Sequence, residues 1–181
     1  MDGIESKVMK NPHPKTHKLF MAAQFSFRIL AIVTTLAAAW TMFTSKQSVV
    51  VYGIAVDARY SYSSAFKFFA FANLIACIFS VLSLFLVFVL GRKGSDATNF
   101  FYMFLHDLVM MTLVMAACAA ATAIGYVGRY GNSHTGWMAI CDNFAKFCDR
   151  VTVSVVLSYL SFIFYLFLTI ISASKSRQTQ V

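Results

Sequence analysis

Four apolar runs, each long enough to cross a lipid bilayer, constrain this chain more than any other feature. They cover about 19–43, 66–90, 100–125 and 151–172, and a hydrocarbon core of about 30 Å needs roughly 20 helical residues. Together they take up more than half of the 181 residues, of which 59% are hydrophobic and only 12% charged, far from the balance of a soluble domain. In lipid a helix satisfies its own backbone polar groups, and runs of this length without turn signals read as helices rather than strands. The expected fold is therefore all-α: an integral-membrane, tetraspanning four-helix bundle of antiparallel, up-down topology.

The remaining segments are a tail (1–18), two outer loops (44–65 and 126–150), a short connection (91–99) and a second tail (173–181), none large enough to bury a core of its own. A cleaved leader is not expected, because the first run is already of spanning length and follows Lys7, Lys10, Lys15 and Lys18. Four spans place both termini on one side. Lys7, Lys10, Lys15, Lys18, Arg92, Lys93, Lys175 and Arg177 lie on that side, against Lys46, Arg59, Lys67, Arg129, Lys146 and Arg150 on the other, a vote of eight to six for cytoplasmic termini. The formal charge of +8 then reads as orientation and attraction to anionic headgroups. Nucleic acid is not an expected partner, because the basic residues are dispersed around membrane ends rather than gathered on one soluble surface.

Arg28 sits in the middle of the first span, in "QFSFRILAIV", where an unpaired guanidinium is costly. Asp107 is the only acidic residue within a span. Arg28 lies about nine residues into the first helix and Asp107 about seven into the third, depths of roughly 13 and 10 Å from the same side. The two charges thus share a level, where a bidentate guanidinium–carboxylate pair can form. Such a pair reads as a fixed clamp between helices one and three, or as part of a proton or ion pathway with His106. The clamp is favoured, because spans two and four offer little more than Asn73 and scattered serines and threonines. His106 follows a different helical direction from Asp107 and is expected near the headgroups or packed. The alanines of "MAACAAATAIGYVG" let another backbone come close, which makes the third helix the expected most-buried one.

In the second outer loop Cys141 and Cys148 lie seven apart, on the side where an oxidising compartment favours a disulfide over two free thiols. Cys77 and Cys118 fall inside spans and read as packing residues. No metal site is expected, since only His134 stands near that cysteine pair, without a ligand spacing. Extended structure is expected in "SVVVYGIAV" of the first outer loop. Trp40, Tyr60, Tyr62, Tyr126, Tyr130 and Trp137 fall near the outer interface as an aromatic belt does. No nucleophile with a base, no paired carboxylates and no glycine-rich phosphate loop appear, so neither an enzyme nor a cofactor is expected.

Arg28 in the first span and Asp107 in the third, with "SSAFKFFAFANLIACIFSVLSL" opening the second and "CDNFAKFCDRVTVSVVLSYLSF" entering the fourth, together resemble the plant Casparian strip membrane domain protein-like (CASP-like) family. Its subfamily 1 is the most similar group. The resemblance implies a MARVEL-like, four-helix, multi-pass plasma-membrane protein with cytoplasmic ends. It also implies self-association, alone or with related family members, into immobile platforms that organise a membrane domain and recruit cell-wall-modifying partners. In that frame Arg28 and Asp107 are the family's intramembrane charges and Cys141 and Cys148 its outer-loop cysteines. The expected function is a non-enzymatic scaffold whose partners are membrane lipids and other copies. The alternative is a small channel or transporter subunit with a polar pathway at Arg28, His106 and Asp107.

Overall fold

The computed structural model describes residues 14–51, 53–93 and 97–180. Most of the first tail, with Lys7, Lys10 and His13, and part of the 91–99 connection lie outside the described residues. The elements run α1 (Pro14–Phe43), β1 (Lys46–Val51), β2 (Ile54–Arg59), a short 3-10 turn (Tyr60–Tyr62), α2 (Ser64–Lys93), α3 (Ala97–Tyr130) and α4 (Ala145–Gln180). Among the described residues, four segments are long and apolar enough to cross a membrane: Met21–Phe43, Ser64–Phe88, Phe101–Tyr130 and Ala145–Arg177. The protein is a multi-pass membrane protein built as an all-α tetraspan bundle.

Every helix exceeds the apolar run that marks it in the sequence. Pro14 opens α1, where the missing N–H of proline is no loss. At 36 residues, α4 is ~54 Å long, well beyond the roughly 30 Å of hydrocarbon. Its ends stand in headgroups and water, where polar residues such as Lys146 and Lys175 cost nothing and hydropathy gives no signal.

α1 packs between α2 and α4, and α3 closes the ring by packing against the same two helices. A stripe of buried positions runs along each helix. On α1 it passes through Gln24, Arg28, Ala31, Thr35, Ala38 and Met42; on α4, through Val151, Ser154, Ser158, Ser161, Tyr165, Leu168 and Ser172. Steps alternate between three and four residues, the seam of a left-handed supercoiled bundle. The polarity of this seam is inverted relative to a soluble bundle. Ile29, Leu30 and Val33 on α1, and Phe79, Leu82 and Phe85 on α2, face outward, because in lipid an apolar side chain gains nothing from being inside.

Hydroxyls on the α4 seam bond to α1 beside it and, across the centre of the bundle, to α2. Ser154 Oγ donates to the Ala38 carbonyl at 2.6 Å, Ser158 Oγ to Asn73 Oδ1 at 2.8 Å and Ser161 Oγ to Thr34 Oγ1 at 2.7 Å. Tyr165 and Ser80 share a hydrogen bond of 2.6 Å. The third helix is not the most buried: 28% of its spanning window is covered, against 39% for α2. Its small residues Ala117, Cys118 and Ala121 form one close face, and the rest of its circumference is left to lipid. A Cβ at Gly125 would meet nothing within 4 Å.

The extended structure expected in the first loop is an antiparallel hairpin, with Lys46 opposite Arg59 and Val51 opposite Ile54. Gly53, at φ +81, takes the left-handed conformation that the reversal requires.

Candidate functional site: an intramembrane charge cluster and a stapled lobe

All four helices contribute to one polar cluster in the half of the bundle away from the hairpin. The seam of α1 presents Arg28 inward one turn after Gln24, and both are buried. Arg28 Nη2 donates to Asp107 Oδ2 at 2.9 Å, with neither side chain exposed. The pairing is not the bidentate one that the sequence suggests. Arg28 Nη1 turns instead to Ser83 Oγ on α2, and the second carboxylate oxygen, Asp107 Oδ1, lies 3.2 Å from His106 Nδ1. Ser172 on α4 donates to Asp107 Oδ2 at 3.3 Å and accepts from Gln24 Nε2 at 3.0 Å. A carboxylate oxygen carries about two acceptor sites, so Asp107 Oδ2 can serve Arg28 and Ser172 together.

His106 is thus packed within the cluster, the second of the two placements expected for it. Its ring also lies against Phe79, with 6.4 Å between centroids. Gln24 Oε1, Arg28 Nε and His106 Nε2 are buried without a protein hydrogen-bond partner. Gln24, Ser83 and Ser172 are the members that residue-by-residue reading passes over. Their signal is positional: each stands on the three-and-four stripe of its helix.

At the opposite end the two loops meet on the first turn of α4. A disulfide joins Cys141 to Cys148, whose Cα atoms are 5.8 Å apart. Cys148 lies inside α4, so the bridge ties the preceding loop to the helix that follows it. Gln47 of β1 accepts a hydrogen bond from the Phe147 backbone amide at 2.8 Å. Arg150 Nη1 donates to the Thr44 carbonyl at 3.0 Å, satisfying a backbone acceptor just past the end of α1. Phe43 packs edge-on against Tyr60 and Phe71, and Phe66 against Phe147. Gly131, at φ +70, lets the second loop fold back; a Cβ there would stand 2.7 Å from the Trp137 carbonyl oxygen.

On the hairpin surface Arg59 Nε meets Asp57 Oδ2 at 2.6 Å, and Tyr62 Oη donates to the same oxygen at 2.9 Å. The Arg59 hydrogen bond first, and that of Tyr62 second, hold the Asp57 carboxyl below its usual range. Accepting from the phenol pushes Tyr62 upward in turn, since Asp57 bonds its protonated form. No cluster of three or more metal-binding side chains occurs among the described residues.

The guanidinium of α1 thus meets a serine of α2 and a carboxylate of α3, to which a serine of α4 also donates, and at the other end the disulfide ties the second loop to α4.

The Casparian strip membrane protein domain model matches residues 17–164. CASP-like protein 1F1 of Vitis vinifera is 61% identical over the whole of this chain and 88% of its own length. CASP-like protein 1F1 of Populus trichocarpa is 52% identical over 99% of both chains, and the protein of the same name from Arabidopsis thaliana 38% identical over 92% of this chain and 96% of its own. No solved structure matches. Domain match and full-length relatives agree, and the chain belongs to the Casparian strip membrane protein domain family, within CASP-like subfamily 1.

Proposed function

We propose that the protein is a non-enzymatic plasma-membrane scaffold, which self-associates to organise a membrane domain and recruits cell-wall-modifying partners. The observation that carries this reading is the division of polarity in the bundle. The intramembrane charges are turned inward and held by four helices, while the lipid-facing sides are continuous apolar surface. Lateral contact with further copies and with lipid is the work such a surface is suited to. The termini are cytoplasmic in this reading, supported by the eight-to-six distribution of basic residues and by a disulfide at the hairpin end, which belongs in an oxidising compartment. The hairpin and the stapled loop then face the wall and address its partners.

The test has two arms. In a plant plasma membrane, fluorescence recovery should be slow and partial, and two differently tagged copies should co-purify. Free diffusion without co-purification would remove the scaffold reading. In liposomes the protein should pass no protons, and a pH-dependent conductance lost in Asp107→Asn would establish a channel instead.

A further inference from the structure

The hairpin-end halves of α3 and α4 do not close on one another. Between them, under the second loop, lies a groove of about 730 Å3, within the size range of ligand sites. Its helical walls belong to the hairpin ends of the two apolar segments Phe101–Tyr130 and Ala145–Arg177. From Arg129 at its rim to Thr122 near its floor it descends about 10 Å along α3.

Its chemistry is graded along that descent. Trp137, Tyr130 and Arg129 line the upper part, and Ile124, Val151 and Val155 the lower. Polar groups near the floor make no demand on a ligand, since Thr122 Oγ1 and Tyr159 Oη lie 3.2 Å apart and bond each other. Arg129, in contrast, has no hydrogen-bond or ion-pair partner among the described residues. A cleft with a free cation at the interface and an apolar bed beneath it fits an amphiphile with an anionic head. A sterol hydroxyl would leave the guanidinium uncompensated, and a helix from a second copy would have to bring its own acid to this level.

We propose that this groove binds a glycerophospholipid from the leaflet at the hairpin end, its phosphate on Arg129 and an acyl chain lying between α3 and α4. The lipid completes the face of the bundle that protein leaves open, and joins α3, α4 and the stapled loop into one surface.

The two tryptophans provide the assay. Trp137 lines the groove, and Trp40 lies exposed on α1 and reports ordinary annular lipid. Single-tryptophan proteins, Trp40→Phe and Trp137→Phe, are reconstituted in bilayers of the phosphate-free lipid digalactosyldiacylglycerol with increasing mole fractions of dibrominated phosphatidylcholine, which quenches indole on contact. Trp137 should reach half-quenching at a lower mole fraction than Trp40. Arg129→Gln should raise that fraction by about threefold, the scale of one exposed ion pair. Gly125→Leu, which places a side chain where the helix now has open space, should bring Trp137 onto the Trp40 curve. Coincident curves in the unaltered protein would overturn the proposal, as would preferential quenching of Trp137 by a brominated sterol. Trp137 shielded relative to Trp40 would mean that another protein surface fills the groove, which equally overturns it.

Discussion

Gln47, on the first strand of the hairpin, accepts a hydrogen bond from the backbone amide of Phe147 at 2.8 Å, one hundred residues further along the chain. α4 begins at Ala145, so Phe147 is the third residue of the helix and Phe144 stands at the capping position. The phenylalanine side chain offers no acceptor there, and the hairpin supplies from a distance what an aspartate or serine supplies locally. Gln47→Ala should lower stability in detergent by about 1 kcal/mol, the usual scale of a lost cap. Amide exchange at Phe147 should accelerate with it. Gln47→Glu keeps the acceptor and should retain both.

Removing one partner of the Arg28–Asp107 pair strands the other in a setting without solvent. Arg28→Ala or Asp107→Ala should each cost about 3 to 5 kcal/mol, read as loss of correctly folded protein at the membrane or a collapsed melting transition. The exchange Arg28→Asp with Asp107→Arg should recover part of the loss. Full recovery is not expected, since Ser83 and Ser172 are placed for the native polarity. Normal folding of either single variant would remove the clamp from the account.

The Cys141–Cys148 bridge closes a loop of seven residues' separation. Loop-closure entropy for so short a ring gives about 2.5 kcal/mol of stabilisation. Cys141→Ser, Cys148→Ser and the double variant should therefore melt earlier by similar amounts. Non-reducing gels should show a mobility shift on reduction for the unaltered protein alone. Equal stability with and without reductant would contradict the assignment of Cys148 as an anchor of the loop.

Acid should act on the hairpin through Asp57. Its folded carboxyl lies below the ordinary value of 3.8, so Asp57 contributes stability above 3.8 that is lost as pH falls through the folded value. Between neutral pH and about 5 the hairpin should be indifferent to pH. The contribution is small, since Asp57 and Arg59 are solvent-exposed and their attraction is screened. A carboxyl chemical-shift titration checks this directly: Arg59→Gln should move the Asp57 midpoint back toward 3.8, and Asp57→Asn should abolish the step.

Much of this architecture is legible in the sequence because lipid imposes simple rules. Long apolar runs give the four helices, and two lone charges at equal depth on parallel helices identify Arg28 and Asp107 as neighbours. The β-branched "SVVVYGIAV" gives extended structure, and its pairing into a hairpin comes from the fold. The burial of α3 is misread for an equally physical reason: small residues mark where one backbone approaches another, not how much of a helix is covered. The rest of the cluster is hidden by the inversion of polarity. A search for an apolar face misses the seam, because Gln24, Thr35, Ser80, Ser83 and Ser172 face inward while Leu30, Val33, Phe79, Leu82 and Phe85 face outward. Reading polar and small residues at alternating steps of three and four recovers the seam. Gln47 has no such signal, since its role depends on where a hairpin comes to rest.

The separation of the charge pair along the chain also sets a problem in time. Arg28 and Asp107 are 79 residues apart, and at ~5–20 residues per second a ribosome needs about 4 to 16 seconds to pass from one to the other. During that interval the first helix carries a guanidinium with no carboxylate to meet it, and α2 can offer only Ser83. The nascent protein must therefore keep α1 near water, with the arginine reaching toward the headgroups, or in contact with the insertion machinery. Release into lipid is then governed by the arrival of α3, which makes assembly of the bundle a checkpoint in its own synthesis.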